Sequence, residues 1–314
     1  MNSLIDQLQP DLFILVKYDF WPNLLQVLNQ RQIPSYLVSA RFRADQYLFK
    51  KWGSVFLRQL QSFQCIFVQD EASALLLNKH HTKQVLVAGD TRVDAVMTAS
   101  RQPVTDNRQP ATGNSQPATH NRKPVLIGGS TWPAEERMLA KLWKSRDFKE
   151  LREEWRLVIA PHDISEGHLV QIEELFKGEI IRHSRIEGPW QYALNKYGVI
   201  LIDSIGLLTS LYASADVAFI GGGFGKGIHN ILEPAAHGIP VLFGPNWVKF
   251  REAESLIHIG AAFPVNDFES FSSTVKKIGS DSIFRAESGN LAVNYMKSQM
   301  GSSDLIIRYL LEKW

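Results

Sequence analysis

The chain lacks the features that would place it outside the ordinary soluble globular proteins. Its 314 residues include one cysteine, Cys65, which excludes an internal disulfide framework and fits a reducing compartment. No apolar run approaches the ~20 residues of a membrane-spanning helix, and the N-terminus has neither the basic segment nor the cleavage site of a signal peptide. The formal net charge is only +2, so no strong overall field favours nucleic acid as a partner.

Two common kinds of catalytic motif are also missing. The nine histidines form no HExxH pair and no pairing with cysteine, so the sequence predicts no metal site and no metal cofactor. No GxSxG-like elbow occurs, which argues against a serine hydrolase.

Short apolar runs alternate with helical patterns along the whole chain. The runs that we interpret as buried strands cover residues 12–16, 36–38, 65–68, 85–87, 125–127, 157–160, 199–202, 217–220 and 241–243. One helix is predicted across residues 45–60. Such alternation predicts an α/β protein with doubly wound parallel sheets.

A polar segment divides the chain. Residues 101–123, RQPVTDNRQPATGNSQPATHNRK, contain QPAT twice and little apolar surface to bury, which predicts an exposed linker. The predicted domains are therefore 1–100 and 124–314, and the last helix is a candidate to pack back on the first domain. A ligand cleft is expected between them, at the carboxyl ends of the strands.

The most informative stretch is residues 215–246, ADVAFIGGGFGKGIHNILEPAAHGIPVLFGPN. A buried strand leads into five clustered glycines, then into a helix predicted to open near His229 and Asn230. Glycine lets a ligand approach the backbone, and a helix N-terminus favours anions. Glu233 is placed to accept hydrogen bonds from ribose hydroxyls, so the pattern suits a nucleotide or nucleotide sugar. GxxxxGK[ST] and GxGxxG both fail on spacing, and a structural glycine turn remains the alternative.

Other polar residues follow predicted strands. His162 follows the run at 157–160, and Ser130 and Thr131 follow the run at 125–127 as N-cap candidates or ligand contacts. Asp19 lies between two aromatic residues. We interpret it either as a carboxylate with a perturbed pKa or as the N-cap of the helix that begins near Pro22.

Several of these motifs together resemble the 3-deoxy-D-manno-octulosonic acid (Kdo) transferases, the inverting GT-B glycosyltransferases of lipopolysaccharide assembly. The resemblance runs from about residue 10 to the C-terminus. It is carried by DFWPNLL (19–25), VSARF (38–42), AGDTRVD (88–94), GGSTWPAEE (128–136), DSIGLL (203–208) and HNILEPAAHGIPVLFGP (229–245). It implies a GT-B fold, in which two Rossmann-like doubly wound domains face a cleft and the N-terminal domain of this chain is incomplete.

The resemblance also implies an activity, which is transfer of Kdo from CMP-Kdo to a lipid A precursor (lipid IVA), with inversion and without a metal. Asp19 takes the place of the family's usual glutamate, and Arg92 takes the place of its usual basic residue; both are catalytic candidates that support the transition state. The nucleotide would contact a second set of positions: Pro161, His162, Ile205, Gly206, Leu207, Asn230, Ile231, Leu232 and Glu233. His162 stands where the family usually has arginine.

Members of the resembled family carry about half a domain upstream, with a membrane-associating N-terminus and a glutamate that acts as the general base. The resemblance therefore implies a peripheral place on the cytoplasmic face of the inner membrane, reached through a segment that precedes this chain. It also predicts an exposed apolar edge on the first sheet and little transferase activity from this chain alone. A GT-B transferase for another nucleotide sugar and a non-catalytic nucleotide-binding remnant remain open.

Overall fold

A computed structural model describes residues 1–17, 20–50, 53–80, 82, 84–101, 123–188, 193 and 196–313. The chain divides into two compact units, one formed by Met1–Ala95 with Gln299–Trp314 and the other by Val96–Ser298. The α-helices of the described residues are α1 Asn2–Leu8, α2 Pro22–Gln30, α3 Ser54–Leu60, α4 Glu71–Lys79, α5 Thr91–Arg101, α6 Pro133–Lys144, α7 Lys149–Glu154, α8 Glu166–Phe176, α9 Leu208–Tyr212, α10 Leu232–Ala236, α11 Arg251–His258, α12 Phe268–Ser280, α13 Ser282–Ser298 and α14 Ser302–Lys313.

The first unit is built on a parallel sheet. Its strands lie in the order β1 Phe13–Val16, β2 Ser35–Ala40, β3 Cys65–Val68 and β4 Val85–Val87. Because successive side chains of a strand point to opposite faces, Leu37 and Ile66 pack with α2 and α4 on one side. Strand β1 lies at an edge and leaves Ile14 and Val16 exposed, which agrees with the apolar edge expected from the sequence.

The C-terminal helix α14 covers part of the other face of this sheet. Ile306 and Tyr309 pack against Tyr36, Cys65 and Phe67. The Tyr309 ring meets Phe67 edge-on at 5.2 Å between centroids. Although α14 is the last element of the chain, it therefore belongs to the core of the first unit.

Asp94 holds the N-terminus of this last helix in place. Its carboxylate accepts the backbone N–H groups of Gly301 and Ser303, each at 2.7 Å. Those groups have no intrahelical partner at the start of a helix, so an acidic side chain there stabilises the helix end. The last residue of the AGDTRVD motif thus has a structural role.

The second unit is built on a parallel sheet in which seven strands are described. Their order is β11 Ala262–Pro264, β10 Val241–Phe243, β9 Val217–Ile220, β5 Val125–Thr131, β6 Arg156–Pro161, β8 Val199–Leu201 and β7 Ile180–Arg182. The central strands are buried along nearly their whole length, as in sheets covered on both faces. On one face, Phe219 stacks on Phe271 of α12 with ring centroids 4.4 Å apart.

The predicted α/β fold with parallel sheets is confirmed, and most predicted strands lie where expected. The single helix predicted across 45–60 is wrong, because the structure has a 3₁₀ turn at Tyr47–Phe49 and then α3. Gly53 lies between them, where an added Cβ would stand 2.2 Å from the Leu48 carbonyl oxygen. Trp21 occupies the N-cap of α2, and Asp19, for which an N-cap was one interpretation, lies outside the described residues.

Candidate functional site

The carboxyl edge of the second sheet brings the sequence candidates together. Strand β5 lies at its centre, and its last residues pair with the ends of both neighbours, Thr131 with Pro161 of β6 and Gly129 with Ile220 of β9. The residues that follow these three strands therefore meet at one edge. This is where ligands bind in open α/β sheets.

The glycine turn after β9 allows an unusually close approach of backbone segments. A Cβ added at Gly221 would stand 2.1 Å from the carbonyl oxygen of Ser130, and one at Gly223 would stand 2.4 Å from the backbone nitrogen of Gly244. Both positions therefore require glycine for packing alone. Ser130 itself has a φ of 51°, a left-handed conformation that non-glycine residues seldom adopt.

The predicted nucleotide contacts at 205–207 and 230–233 are joined by a hydrogen-bonded network. Glu233 accepts from the side-chain amide of Asn230 and from the hydroxyl of Thr209, each at 2.8 Å. Thr209 lies two residues after Leu207, so its bond ties the two segments together. The carboxylate is thereby held at the sheet edge. Ile205, four residues before Thr209, is 86% exposed.

The helix after the glycine turn begins later than the sequence predicted. Helix α10 starts at Leu232. The side-chain oxygen of Asn230 accepts the backbone N–H of Leu232 at 3.1 Å and so satisfies one free donor at the start of the helix. Ile231 and Leu232 are buried, which leaves Asn230 and Glu233 as the polar members of this group. Below them, the Tyr212 hydroxyl is fully buried, and burial together with Glu233 raises its pKa.

Three rings lie at the same edge, and only His162 among them was predicted as a nucleotide contact. The His162 ring stacks on Trp132 at 4.7 Å and on His229 at 4.5 Å between centroids. Trp132 Nε1–H donates to His229 Nε2 at 2.9 Å. Burial, with a smaller effect of His162, lowers the pKa of His229. Trp132 and His229 both follow predicted strands, in STWP and GIHN. That position was the only feature of the sequence that could have marked them as site candidates.

A buried acidic cluster follows β5. Glu136 is 1% exposed and accepts from the Thr131 hydroxyl at 3.1 Å, and it lies 3.0 Å from His168 Nε2. Burial raises the pKa of Glu136, and His168 opposes the shift. Glu135 accepts the backbone N–H of Trp132 at 3.2 Å and so holds the start of α6. Neither Ser130 nor Thr131 is the N-cap, because that position belongs to Trp132.

The two catalytic candidates belong to the first unit. Asp19 lies outside the described residues. Arg92 is the second residue of α5, and its guanidinium contacts Asp90, with Nη2 at 2.6 Å and Nε at 2.9 Å from Oδ2. Gln69 also donates to Asp90, at 3.1 Å. The structure thus adds Asp90 as the residue that orients Arg92, and only its position in AGDTRVD hinted at this.

The described residues contain neither a metal-site arrangement nor a helix that could span a membrane. No group of three or more His, Cys, Asp or Glu side chains in this part of the chain has the arrangement of a metal site. No helix in the same part is long and apolar enough to cross a bilayer.

Comparison with solved structures first defines the class of fold to which the chain belongs. The chain superposes on the UDP-GlcNAc 2-epimerase of Neisseria meningitidis with a TM-score of 0.65 and 17% identity, over 99% of this chain and 78% of that protein. Likeness at this level of identity is a likeness of fold alone. The fold is of the GT-B type, with two Rossmann-like units.

Sequence comparison then shows which proteins the chain is similar to. Residues 1–95 match the family model described as 3-Deoxy-D-manno-octulosonic-acid transferase (kdotransferase). A bifunctional glycosyltransferase/methyltransferase of Fusobacterium nucleatum is 24% identical over 95% of this chain and 47% of that protein. A 3-deoxy-D-manno-octulosonic acid transferase of Chlamydophila psittaci is 24% identical over 83% of this chain and 58% of that protein. The predicted family is confirmed: the chain is a relative of the Kdo transferases, and it spans about half the length of these curated relatives.

Proposed function

We propose that this protein takes part in transfer of Kdo from CMP-Kdo to a lipid A precursor, with inversion at the transferred sugar. One observation carries the proposal. In a chain related to Kdo transferases, the segments 205–209 and 230–233 are tied together at the carboxyl edge of the second sheet by the bonds of Glu233 to Thr209 and Asn230.

The second unit would hold the donor nucleotide. Glu233 would be a fixed acceptor for ribose hydroxyls. Ile205 and Gly206 are exposed and would offer backbone groups and an apolar side chain to the base, beside the half-buried Leu207. His162, exposed at the end of β6, would lie near the phosphate together with the glycine turn. A nucleotide phosphate held by such groups becomes a better leaving group.

The first unit would supply groups for the transfer step. Asp19 and Arg92 would stabilise charge in the transition state, with Arg92 oriented by Asp90. A general base would take the proton from the acceptor hydroxyl as that oxygen bonds to the anomeric carbon of Kdo, and CMP would leave with the bonding electrons. In this proposal no divalent ion takes part, and the protein works on the cytoplasmic face of the inner membrane.

The test is a transfer assay in the presence of a chelator. The protein is incubated with CMP-Kdo and lipid IVA, and mass spectrometry follows the addition of Kdo to the lipid. The anomeric configuration of the product, read by NMR, tests inversion. Parallel reactions replace the donor with CMP-sialic acid or UDP-GlcNAc.

Each outcome selects one function. Kdo addition without metal supports the proposal. Transfer from another nucleotide sugar alone would assign the protein to that donor instead. CMP binding without transfer, by this chain and by forms extended at the N-terminus, would make it a nucleotide-binding protein rather than a transferase.

A further inference from the structure

The hydrogen bond between Trp132 and His229 determines where His229 carries its proton. An indole N–H is a donor and never an acceptor. Because Trp132 Nε1–H points at His229 Nε2 over 2.9 Å, that nitrogen must present its lone pair. A neutral imidazole has one N–H, so the proton of His229 is on Nδ1.

The neighbouring groups hold the ring in this orientation. The His162 ring covers one face of His229 at 4.5 Å between centroids. The Cδ2 edge lies against the glycine turn, 3.1 Å from the point that a Cβ on Gly222 would occupy. Trp132 is itself fixed by stacking on His162 and by the bond from its backbone N–H to Glu135.

Protonation of His229 would break this arrangement. The cation would carry a hydrogen on Nε2 as well, and that hydrogen would face the indole N–H of Trp132. Two donors in contact repel each other, so the bond favours the neutral ring. Burial of His229 and the nearby His162 act in the same direction by lowering its pKa.

We propose that Trp132 is a positioning residue that keeps His229 neutral with its proton on Nδ1, and that this N–H donates to a phosphate oxygen of the donor nucleotide. The phosphate contact rests on the proposed function, whereas the tautomer rests on the geometry alone. His229 directly precedes Asn230, which bonds to the carboxylate assigned to the ribose, and it stacks on His162. The phosphate adjoins the ribose in any 5′-nucleotide, so an N–H at His229 is close in sequence and in space to where the phosphate is expected.

The first experiment removes the indole N–H and keeps the aromatic ring. Calorimetry compares CMP and cytidine as ligands of the wild type and of Trp132→Phe. CMP binding should weaken about 5- to 10-fold in the variant, which is the effect of one lost hydrogen bond. Cytidine binding should change less than about twofold, because cytidine has no phosphate. Trp132 is 41% exposed, so the substitution leaves the core intact, and Trp21→Phe in the other unit is a matched control.

The second experiment reads the tautomer directly. Two-bond ¹⁵N–¹H NMR spectra distinguish a proton on Nδ1 from one on Nε2, and His229→Gln identifies the signal among the nine histidines. The unliganded wild type should show the Nδ1–H pattern for His229. In Trp132→Phe that pattern should be replaced by a mixture of tautomers, while Trp21→Phe should match the wild type.

The outcomes separate the two halves of the inference. An Nε2–H pattern in the wild type would overturn the role of Trp132. Unchanged CMP affinity in Trp132→Phe, or an equal loss for cytidine, would overturn the phosphate contact. If the wild type shows the Nδ1–H pattern but binds no CMP, the proposed function and the phosphate contact both fail, while the positioning by Trp132 is upheld.

Discussion

The side-chain amide of Asn230 donates to Glu233 at 2.8 Å, while its carbonyl oxygen accepts the backbone N–H of Leu232 at 3.1 Å. Asn230, two residues before α10, thus orients the carboxylate that we assign to the ribose. Thr209 holds the second oxygen of Glu233 at 2.8 Å. A carboxylate fixed in this way has lost side-chain freedom before the ligand arrives, which favours binding.

Replacing Glu233 with alanine should therefore weaken CMP binding by roughly 1–3 kcal/mol, the range for losing a charged hydrogen-bonding partner. Calorimetry with CMP in the presence of a chelator measures the effect. Glu287→Ala, which changes an exposed glutamate of α13, is the control. Equal affinities of the wild type and Glu233→Ala would remove Glu233 from the nucleotide site, and absence of CMP binding by the wild type would remove the site itself.

Substitution of Arg92 should reduce turnover and spare the nucleotide. In a preparation that transfers Kdo, Arg92→Gln should lower kcat about 10²- to 10³-fold, as loss of a group that stabilises transition-state charge does. CMP affinity should stay within about twofold, because Arg92 is in the first unit and the nucleotide candidates are in the second. We expect the same division of effects for Asp19→Asn.

The control for Arg92 is another paired arginine of the same unit. Arg31 forms a largely exposed ion pair with Asp6 at 2.6 Å, so Arg31→Gln should leave both kcat and CMP affinity near the wild type. A fall in CMP affinity as large as the fall in kcat for Arg92→Gln would show that Arg92 acts in binding rather than in catalysis.

Proteolysis should cut first in the segment 101–123, whose polar composition predicts an exposed linker. Trypsin can cleave after Arg108 and Arg122. Because α14 lies in the core of the first unit, the two fragments should remain associated on size-exclusion chromatography in native buffer. Ile306→Asp, which places a charge under α14, should let them separate after cleavage. Early cleavage within 199–243 would contradict the predicted linker.

The reactivity of Cys65 measures how closely α14 packs against the first sheet. It is 0% exposed beneath α14, and burial raises the pKa of its thiol to about 11. Since the thiolate is the reactive form, Cys65 should react with a disulfide reagent far more slowly than a free thiol does at pH 8. Tyr309→Ala opens the packing over Phe67 and should accelerate the reaction. Rapid labelling of the folded wild type would show that α14 does not seal this face.

Glu136 should make the stability of the protein depend on pH. Burial raises its pKa above the ordinary 4.5, so the folded state holds the proton more tightly than the unfolded state. Its contribution to stability is then greatest below pH 4.5 and is lost as the pH rises through the folded-state pKa. Glu136→Gln keeps an acceptor for Thr131 but cannot ionise, so it should lose less stability than the wild type over this interval.

Urea unfolding at a series of pH values from 4.5 upward measures this difference. Glu287→Gln, at an exposed position, should follow the wild-type curve. Parallel curves for the wild type and Glu136→Gln would mean that Glu136 titrates alike in the folded and unfolded states.

The sequence alone determined the strand–helix alternation and most central strands, because fully buried parallel strands are continuous apolar runs. The sequence did not predict the edge strands Ile180–Arg182 and Ala262–Pro264. Ile180–Arg182 ends in an arginine and lies between Glu179 and His183, and Ala262–Pro264 ends in a proline, so neither forms an uninterrupted apolar run. The prediction of one helix across 45–60 was wrong because the apolar residues keep helical spacing through the segment. At Gly53 the backbone makes a close contact with Leu48 that ends this regularity, and the spacing of side chains does not reveal it.

The same division holds at the site. Motif order in the sequence predicted the relationship to Kdo transferases, which the comparisons confirm. It also predicted nucleotide contacts around His162, Ile205 and Glu233, because these residues lie within contiguous motifs. Only the tertiary structure decided that Trp132 bonds to His229 and that Asp90 orients Arg92. It also decided that the last helix of the chain completes the core of the first unit. Contacts between residues far apart in sequence depend on the order of strands in a sheet, and a single sequence carries no local pattern that encodes that order.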